Sequence, residues 1–140
     1  MDFLIFGFMV TGSLAGSFQH FASFENVAKD LSPVAFNDNQ LNPATSFWGG
    51  DAMGAHFLAN GLGALVYSRN ALCREAYLLT TGFMFTFLGA SWARKGHQVG
   101  NPAPHVTIGM DLVLGSLAFL GAFLTRSKRL AAEKRQERRE

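Results

Sequence analysis

The sequence predicts an all-α protein, a four-transmembrane-helix bundle with its N and C termini cytoplasmic. Three observations carry that prediction: four long segments nearly lack charge, each has the length of a bilayer crossing, and basic and aromatic residues sort to its two ends. Residues 3–24, 51–68, 76–93 and 106–125 together hold 78 residues and two charges, Asp51 and Asp111, whereas the other 62 residues hold 20. At 18 to 22 residues each, the segments match the roughly 20 that cross a ~30 Å hydrocarbon layer as a helix. A soluble four-helix bundle would place charge on the outer face of every helix. The overall 16% of charged residues also falls below the about 25% of an average soluble domain.

Taken in order, the first span follows Met1-Asp2, an acidic start where a secretory signal is basic, and its apolar run exceeds the about 7 to 15 residues of a signal peptide. It is expected to be a retained helix. Residues 25–50 form the longest connection, 26 residues, with a helical turn or two over 25–31 before Ser32-Pro33. The Asn/Asp cluster and Asn42-Pro43 then read as turn chemistry. Loops of this length more often serve as lids or partner surfaces than as connectors. The connection 69–75 is short, so the second and third spans form an antiparallel hairpin. The loop RKGHQVGNPAPH (94–105), rich in Gly and Pro, is expected to be ordered only by contact. Nothing from Phe123 onward breaks a helix, so the fourth span is expected to extend into the tail as a charged helix. The domain division is therefore a membrane domain, 1–125, and a basic cytoplasmic tail, 126–140. A single cysteine, Cys73, excludes an internal disulfide and argues against dithiol redox chemistry. An acylation site and an inert thiol remain open for it.

Orientation follows from charge. With four spans, both termini share a side with Arg69, Arg74 and the seven basic residues of the tail, against Lys29, Arg94 and Lys95 opposite; nine against three makes that side cytoplasmic. Trp48 and Trp92 fall at the outer ends of spans and Tyr67 and Tyr77 at the inner ends, the interfacial positions such rings prefer. The tail has net charge +4 and residues 1–125 net −2. A nucleic-acid partner would want aromatic or motif residues among those charges, and the tail has none, so no nucleic acid is expected. The tail is read as a solvated, topology-setting segment with attraction to anionic lipid head groups as a secondary role.

Inside the spans, polar residues fall into seams. At 100° per residue, His56, Asn60, Gly63 and Tyr67 share a face of the second span. Gly12, Gly16, His20 and Ser23 share one in the first, with Gln19 beside it. Thr107, Asp111, Leu114, Ala118 and Thr125 share one in the fourth. A mid-span Asp costs roughly 2.5–3.5 kcal/mol in lipid, so the seams are expected to face inward. All four histidines, His20, His56, His97 and His105, belong to the outer half or the outer loops. His20, His56, Asn60 and Asp111 are therefore expected to converge on an outward-opening polar pocket covered by the first loop. Small residues spaced four apart, Gly12/Gly16, Gly50/Gly54 and Ala55/Ala59, support close helix packing in a bundle or a homo-oligomer.

Three readings of the seams stay open: hydrogen bonds that fix helix packing, a pocket for a lipophilic small molecule, and a metal site of two histidines and a carboxylate. The metal reading lacks a His-x-x-x-His or Glu-x-x-His pattern, and no metal site is assigned. In the pocket reading, His20 and His56 are the proton carriers and Asp111 orients a histidine or stabilises a cation. Gln19, Asn60, Asp51 and Trp92 are the candidate ligand contacts. No cofactor is identified.

The Gly-rich WGGDAMGAHFLANGLGALVYS and the Pro-containing GNPAPHVTIGMD that leads into an acidic last span resemble the DoxX-like group of small four-span membrane proteins and allied uncharacterised families. The likeness covers about residues 48–125. It implies a four-helix membrane bundle that acts as an accessory subunit of a redox system or as an enzyme on lipophilic substrates. Several such families place an arginine in the second span, where this chain has His56 and Asn60. The expected function is binding or processing of a lipophilic small molecule. The alternative is a non-catalytic accessory or anchoring subunit, with the bilayer and a membrane partner subunit as its partners.

Overall fold

The computed structural model describes residues 1–31, 47–98 and 100–139, and these are helical wherever they are regular. Helix α1 spans Asp2–Leu31, α2 Met53–Val66, α3 Ala71–Lys95 and α4 Pro104–Glu137, and a π-helical segment, Phe47–Ala52, leads directly into α2. The all-α class holds. The turns predicted at Ser32-Pro33 and Asn42-Pro43 lie outside the described residues, as does the cover expected from the first loop.

Local chemistry explains the boundaries. Asp2 opens α1, where a carboxylate suits the positive end of the helix. The helix does not stop at Phe24; residues 25–31 continue it instead of forming a separate turn. The chain reverses through Tyr67–Asn70, and Asn70 caps α3 by accepting from the amides of Leu72 and Cys73 at 2.9 and 3.2 Å. Past α3, the Gly96 amide bonds the Trp92 carbonyl at 2.8 Å and the Asn101 amide bonds the Gly96 carbonyl at 3.0 Å. Gly100 takes a left-handed conformation, φ 74°, that favours glycine. The Asn101 side chain accepts from the Ala103 amide at 2.9 Å and donates to Thr107 Oγ1 at 3.0 Å. The loop between α3 and α4 is thus held by its own hydrogen bonds. Pro104 then occupies the first turn of α4, where its missing N–H costs nothing.

Packing is unequal. α3 lies along α4 over most of its length and α1 lies along α2; the two pairs join where α1 meets α4, whereas α2 and α3, consecutive in the chain, scarcely touch. Glycines set the α3–α4 contact. A Cβ on Gly82 would stand 2.8 Å from the Phe119 ring, and one on Gly115 would stand 3.0 Å from Thr86 Oγ1 and 3.2 Å from the Gly82 carbonyl. The α1–α2 contact closes in the same way at Gly54 against His20 and at Gly61 against Leu14. The buried core is small: Phe6, Met9, Val10, Leu78, Ala118 and Ala122.

Outside that core, large apolar side chains stand exposed on every helix: Leu4 at 74%, Leu62 at 48%, Phe87 at 69% and Phe123 at 65%. Among the described residues, α4 is the helix long and apolar enough to cross a membrane by length and composition. The four spans expected from the sequence differ from this in identifiable ways. The second expected span is 14 residues of α-helix preceded by the π segment. α1 contains Gln19 and His20, and α3 carries Arg74 and Glu75 near its start, which lower their apolar content.

One end of the molecule is tied by charge. Lys128 Nζ contacts Asp2 Oδ1 at 2.5 Å, and Arg129 donates to Glu75 Oε2 from Nε at 3.2 Å and Nη2 at 3.0 Å. Arg129 also meets Glu133 at 2.9 Å. Arg74 is buried, donates to the Ser68 carbonyl and lies 4.2 Å over the Phe3 ring. The start of the tail is therefore latched to α1 and α3, a correction to a wholly solvated tail. α4 shows no break at 125/126.

Candidate functional site

Because α2 and α3 diverge, a cleft opens between them with α1 as its floor. It has two connected compartments. One, of about 340 Å³, is lined by Ser13 of α1, His56, Phe57 and Asn60 of α2, and Tyr77, Thr80, Thr81 and Met84 of α3. The other, of about 330 Å³, is apolar and includes Phe8, Met9, Gly12, Phe85 and Leu114, with His20 at its edge. Ser13, Phe57 and Met84 line both, so the two form one groove, polar at one side and greasy at the other. Each lies at the lower end of the about 300–1,000 Å³ typical of ligand pockets.

The polar wall is built by the crossing of α1 and α2. Ser17 Oγ donates to the Gly54 carbonyl at 3.0 Å, and Gly54 and Gly61 seat α2 against α1. His56 and Asn60 stand roughly 200–240° round the helix from Gly54 at 100° per residue, which turns them away from α1 and towards the gap beside α3. Across the groove, Tyr77 OH donates to the Met9 carbonyl at 3.1 Å and lies 2.7 Å from Ser13 Oγ. Tyr77 also meets Phe6 edge-on, centroids 5.6 Å apart. That pair pins α3 to α1 at the base.

Phe57 sits between two imidazoles, 5.3 Å from His20 and 6.4 Å from His56 by ring centroids. His20 Nδ1 is 2.6 Å from the Gly49 carbonyl. A carbonyl only accepts, so Nδ1 carries a hydrogen and, in the neutral ring, Nε2 is the basic nitrogen. Gly49 belongs to the π segment, a helical irregularity found frequently at functional sites. His56, Asn60 and Thr80 are exposed and His20 half-buried. The groove therefore opens on the flank of the helices.

The structure brings His20, His56 and Asn60 to this groove. Gln19 and Asp51 are exposed, Trp92 is half-buried on α3, and none of them lines either compartment. Asp111 lies elsewhere, at the α3–α4 contact: its Cβ would meet a Cβ on Gly89 at 3.4 Å, and its buried Oδ2 has no hydrogen-bond partner among the described residues. Asp111 is thus not placed to orient either histidine. Sequence reasoning missed Ser13, Tyr77, Thr80 and Thr81. The threonines at 80 and 81 followed by Met84 were a readable signal, a polar patch one turn inside an apolar run. Among the described residues, no group of three or more His, Cys, Asp or Glu is placed to hold a metal ion.

No protein-family model, curated protein or solved structure matches the chain.

Proposed function

We propose that this is a multi-span membrane protein that binds a lipophilic small molecule in the groove between α1, α2 and α3, as the DoxX-like layout implies. The observation that carries the reading is the groove itself: hydrogen-bonding groups on one side, an apolar chamber on the other, and an opening on the flank where acyl chains would lie. The charge-free runs and the large apolar side chains exposed on each helix support the membrane setting, since a bilayer is the solvent such surfaces suit. In that setting both termini face the cytoplasm, where the basic residues gather. His56 and Asn60 hold the polar head and the chamber around Gly12 takes the chain. His56 stands beside the head and His20 beside the chain, and proton transfer to or from the bound molecule is the chemistry an imidazole next to the head permits.

The test uses Gly12, which lines the apolar chamber and has open space around it, with nothing within 4 Å of where a Cβ would stand. Gly12→Leu is expected to fill the chamber without disturbing packing. Native mass spectrometry of protein purified in mild detergent should find a bound lipophile on the parent chain and none on the variant, at equal thermal stability. A parent chain carrying no small molecule would refute the proposal.

The rival reading, an accessory subunit, is favoured by the basic helical extension beyond Thr125. It predicts that Arg135→Gln with Arg139→Gln releases a partner subunit while small-molecule binding is untouched.

A further inference from the structure

The polar side of the groove holds an uneven number of hydrogens and lone pairs. Tyr77 has one hydroxyl hydrogen, which goes to the Met9 carbonyl at 3.1 Å. The 2.7 Å contact with Ser13 Oγ is therefore donated by Ser13. Thr80 Oγ1 lies 2.9 Å from the Tyr77 carbonyl and 3.1 Å from the Ala76 carbonyl, so its hydrogen is committed as well. Asn60 turns Nδ2 towards the His56 carbonyl at 3.0 Å. That carbonyl cannot donate, so the amide orientation is fixed and Oδ1 is directed away from it. Three hydroxyl hydrogens and one amide hydrogen are thus held within the protein. The Ser13 and Thr80 oxygens and Asn60 Oδ1 keep lone pairs, whereas the Tyr77 oxygen accepts from both Ser13 and Thr81. The Thr81 hydroxyl is spent in the same way, on the Tyr77 side chain, so on the donor side stand the second amide hydrogen of Asn60 and a ring N–H of His56. Among the described residues, no Lys, Arg, Asp or Glu lines either compartment.

From this accounting we infer that the ligand is a neutral lipophile with a hydroxyl head, a long-chain or isoprenoid alcohol. The inference rests on the groove being a lipophile site. A carboxylate or phosphate would meet lone pairs and no cation, and an ammonium group would be held without a counter-ion; charges placed so are strongly disfavoured away from water. A ketone brings only lone pairs to a wall already rich in them. A hydroxyl brings one hydrogen and two lone pairs, so it donates to Asn60 Oδ1 or Thr80 Oγ1 while accepting from His56. The apolar chamber beyond Phe57 then receives the chain.

The experiment is photo-crosslinking of the full chain in lipid nanodiscs with probes that share one diazirine-bearing alkyl chain. The probes end in a hydroxyl, a methyl ketone, a carboxylate or a quaternary ammonium, and labelled peptides are mapped by mass spectrometry. The alcohol is expected to label the peptides around Phe57 and Met84 at about tenfold lower concentration than the ketone, the factor for one hydrogen bond of about 1.4 kcal/mol. Asn60→Leu should reduce that preference to near parity while labelling persists. If the variant fails to accumulate, the shape-matched Thr80→Val provides the same comparison. Equal or better labelling by the ketone, the acid or the ammonium probe would overturn the alcohol assignment and leave the groove standing as a lipophile site. No groove labelling by any probe would overturn both.

Discussion

The α3–α4 contact and the gap between α2 and α3 are made of similar residues and come out opposite. In the first, Gly82, Gly89 and Gly115 remove side chains where the helices meet, and the backbones close until a single added Cβ would press on Phe119, Asp111 or Thr86. In the second, Thr80, Thr81, His56 and Asn60 face each other across open space. Where small residues face large ones the helices lock; where polar residues of middling size face one another they stand apart. The closed contact is the frame, and the open one is the groove proposed above as a ligand site.

The largest effect should come from breaking the frame. Gly115→Val would drive a branched side chain towards the Gly82 carbonyl, backbone that cannot swing aside. Thermal unfolding in detergent should show a loss of about 1–3 kcal/mol, whereas Gly63→Ala, with nothing within 4 Å, should show no loss and a gain of up to about 1 kcal/mol from helix propensity. Equal losses would erase the distinction between locked and open glycines.

Asp111 sharpens the comparison from the other side. Its buried Oδ2 lacks a partner among the described residues, so the shape-matched Asp111→Leu should raise stability by about 1 kcal/mol. It should also leave the mass of co-purified ligand unchanged. Loss of ligand in that variant would mean that the α3–α4 contact acts on the groove.

Tyr77 bridges the two regions, and Tyr77→Phe should cost about 0.5–1.5 kcal/mol through loss of its bonds to Met9 and Ser13, read by the same melting assay.

The smallest effect concerns the charged latch. Burial pushes the Asp2 carboxyl up, but the hydrogen bond from Lys128, the Phe3 amide and the charges of Lys128 and the N-terminus outweigh it and hold the group below its ordinary value. A carboxyl held low stabilises the fold at pH above its unfolded value of about 3.9, and that contribution disappears as pH falls through the lower folded value. Between pH 7 and 5 the latch should therefore be constant. Below about 4 the melting temperature of the parent should converge on that of Asp2→Asn, whose deficit at neutral pH is up to about 1 kcal/mol.

Much of the frame was legible in the residues. Charge-free runs located helices, the absence of a breaker after Phe123 foretold the length of α4, and the face of Asp111, Ala118 and Thr125 is buried as its spacing required. Helical periodicity tells which residues share a face, but not which neighbour that face meets. The four-apart pairs Gly12/Gly16 and Gly50/Gly54 read as contacts; Gly54 does make one, but Gly12 lines the chamber, and the other close approach falls at Gly61, which those pairs did not include. The same gap in knowledge misplaced Asp111. Its depth resembled that of the histidines, but its helix sits against α3 and theirs sit against each other. The Phe47–Ala52 segment carries no pattern that marks a wider helical turn, so the shortening of α2 was invisible.

The unbroken course of α4 has a mechanical corollary. From Thr125 to Glu137 it advances about 18 Å at 1.5 Å per residue, with neither proline nor glycine to serve as a joint. A tilt of about 10° at the level of Thr125 would carry the far end about 3 Å sideways. The arginines of the last turns therefore act as a pointer, magnifying whatever small inclination the buried part of the rod adopts.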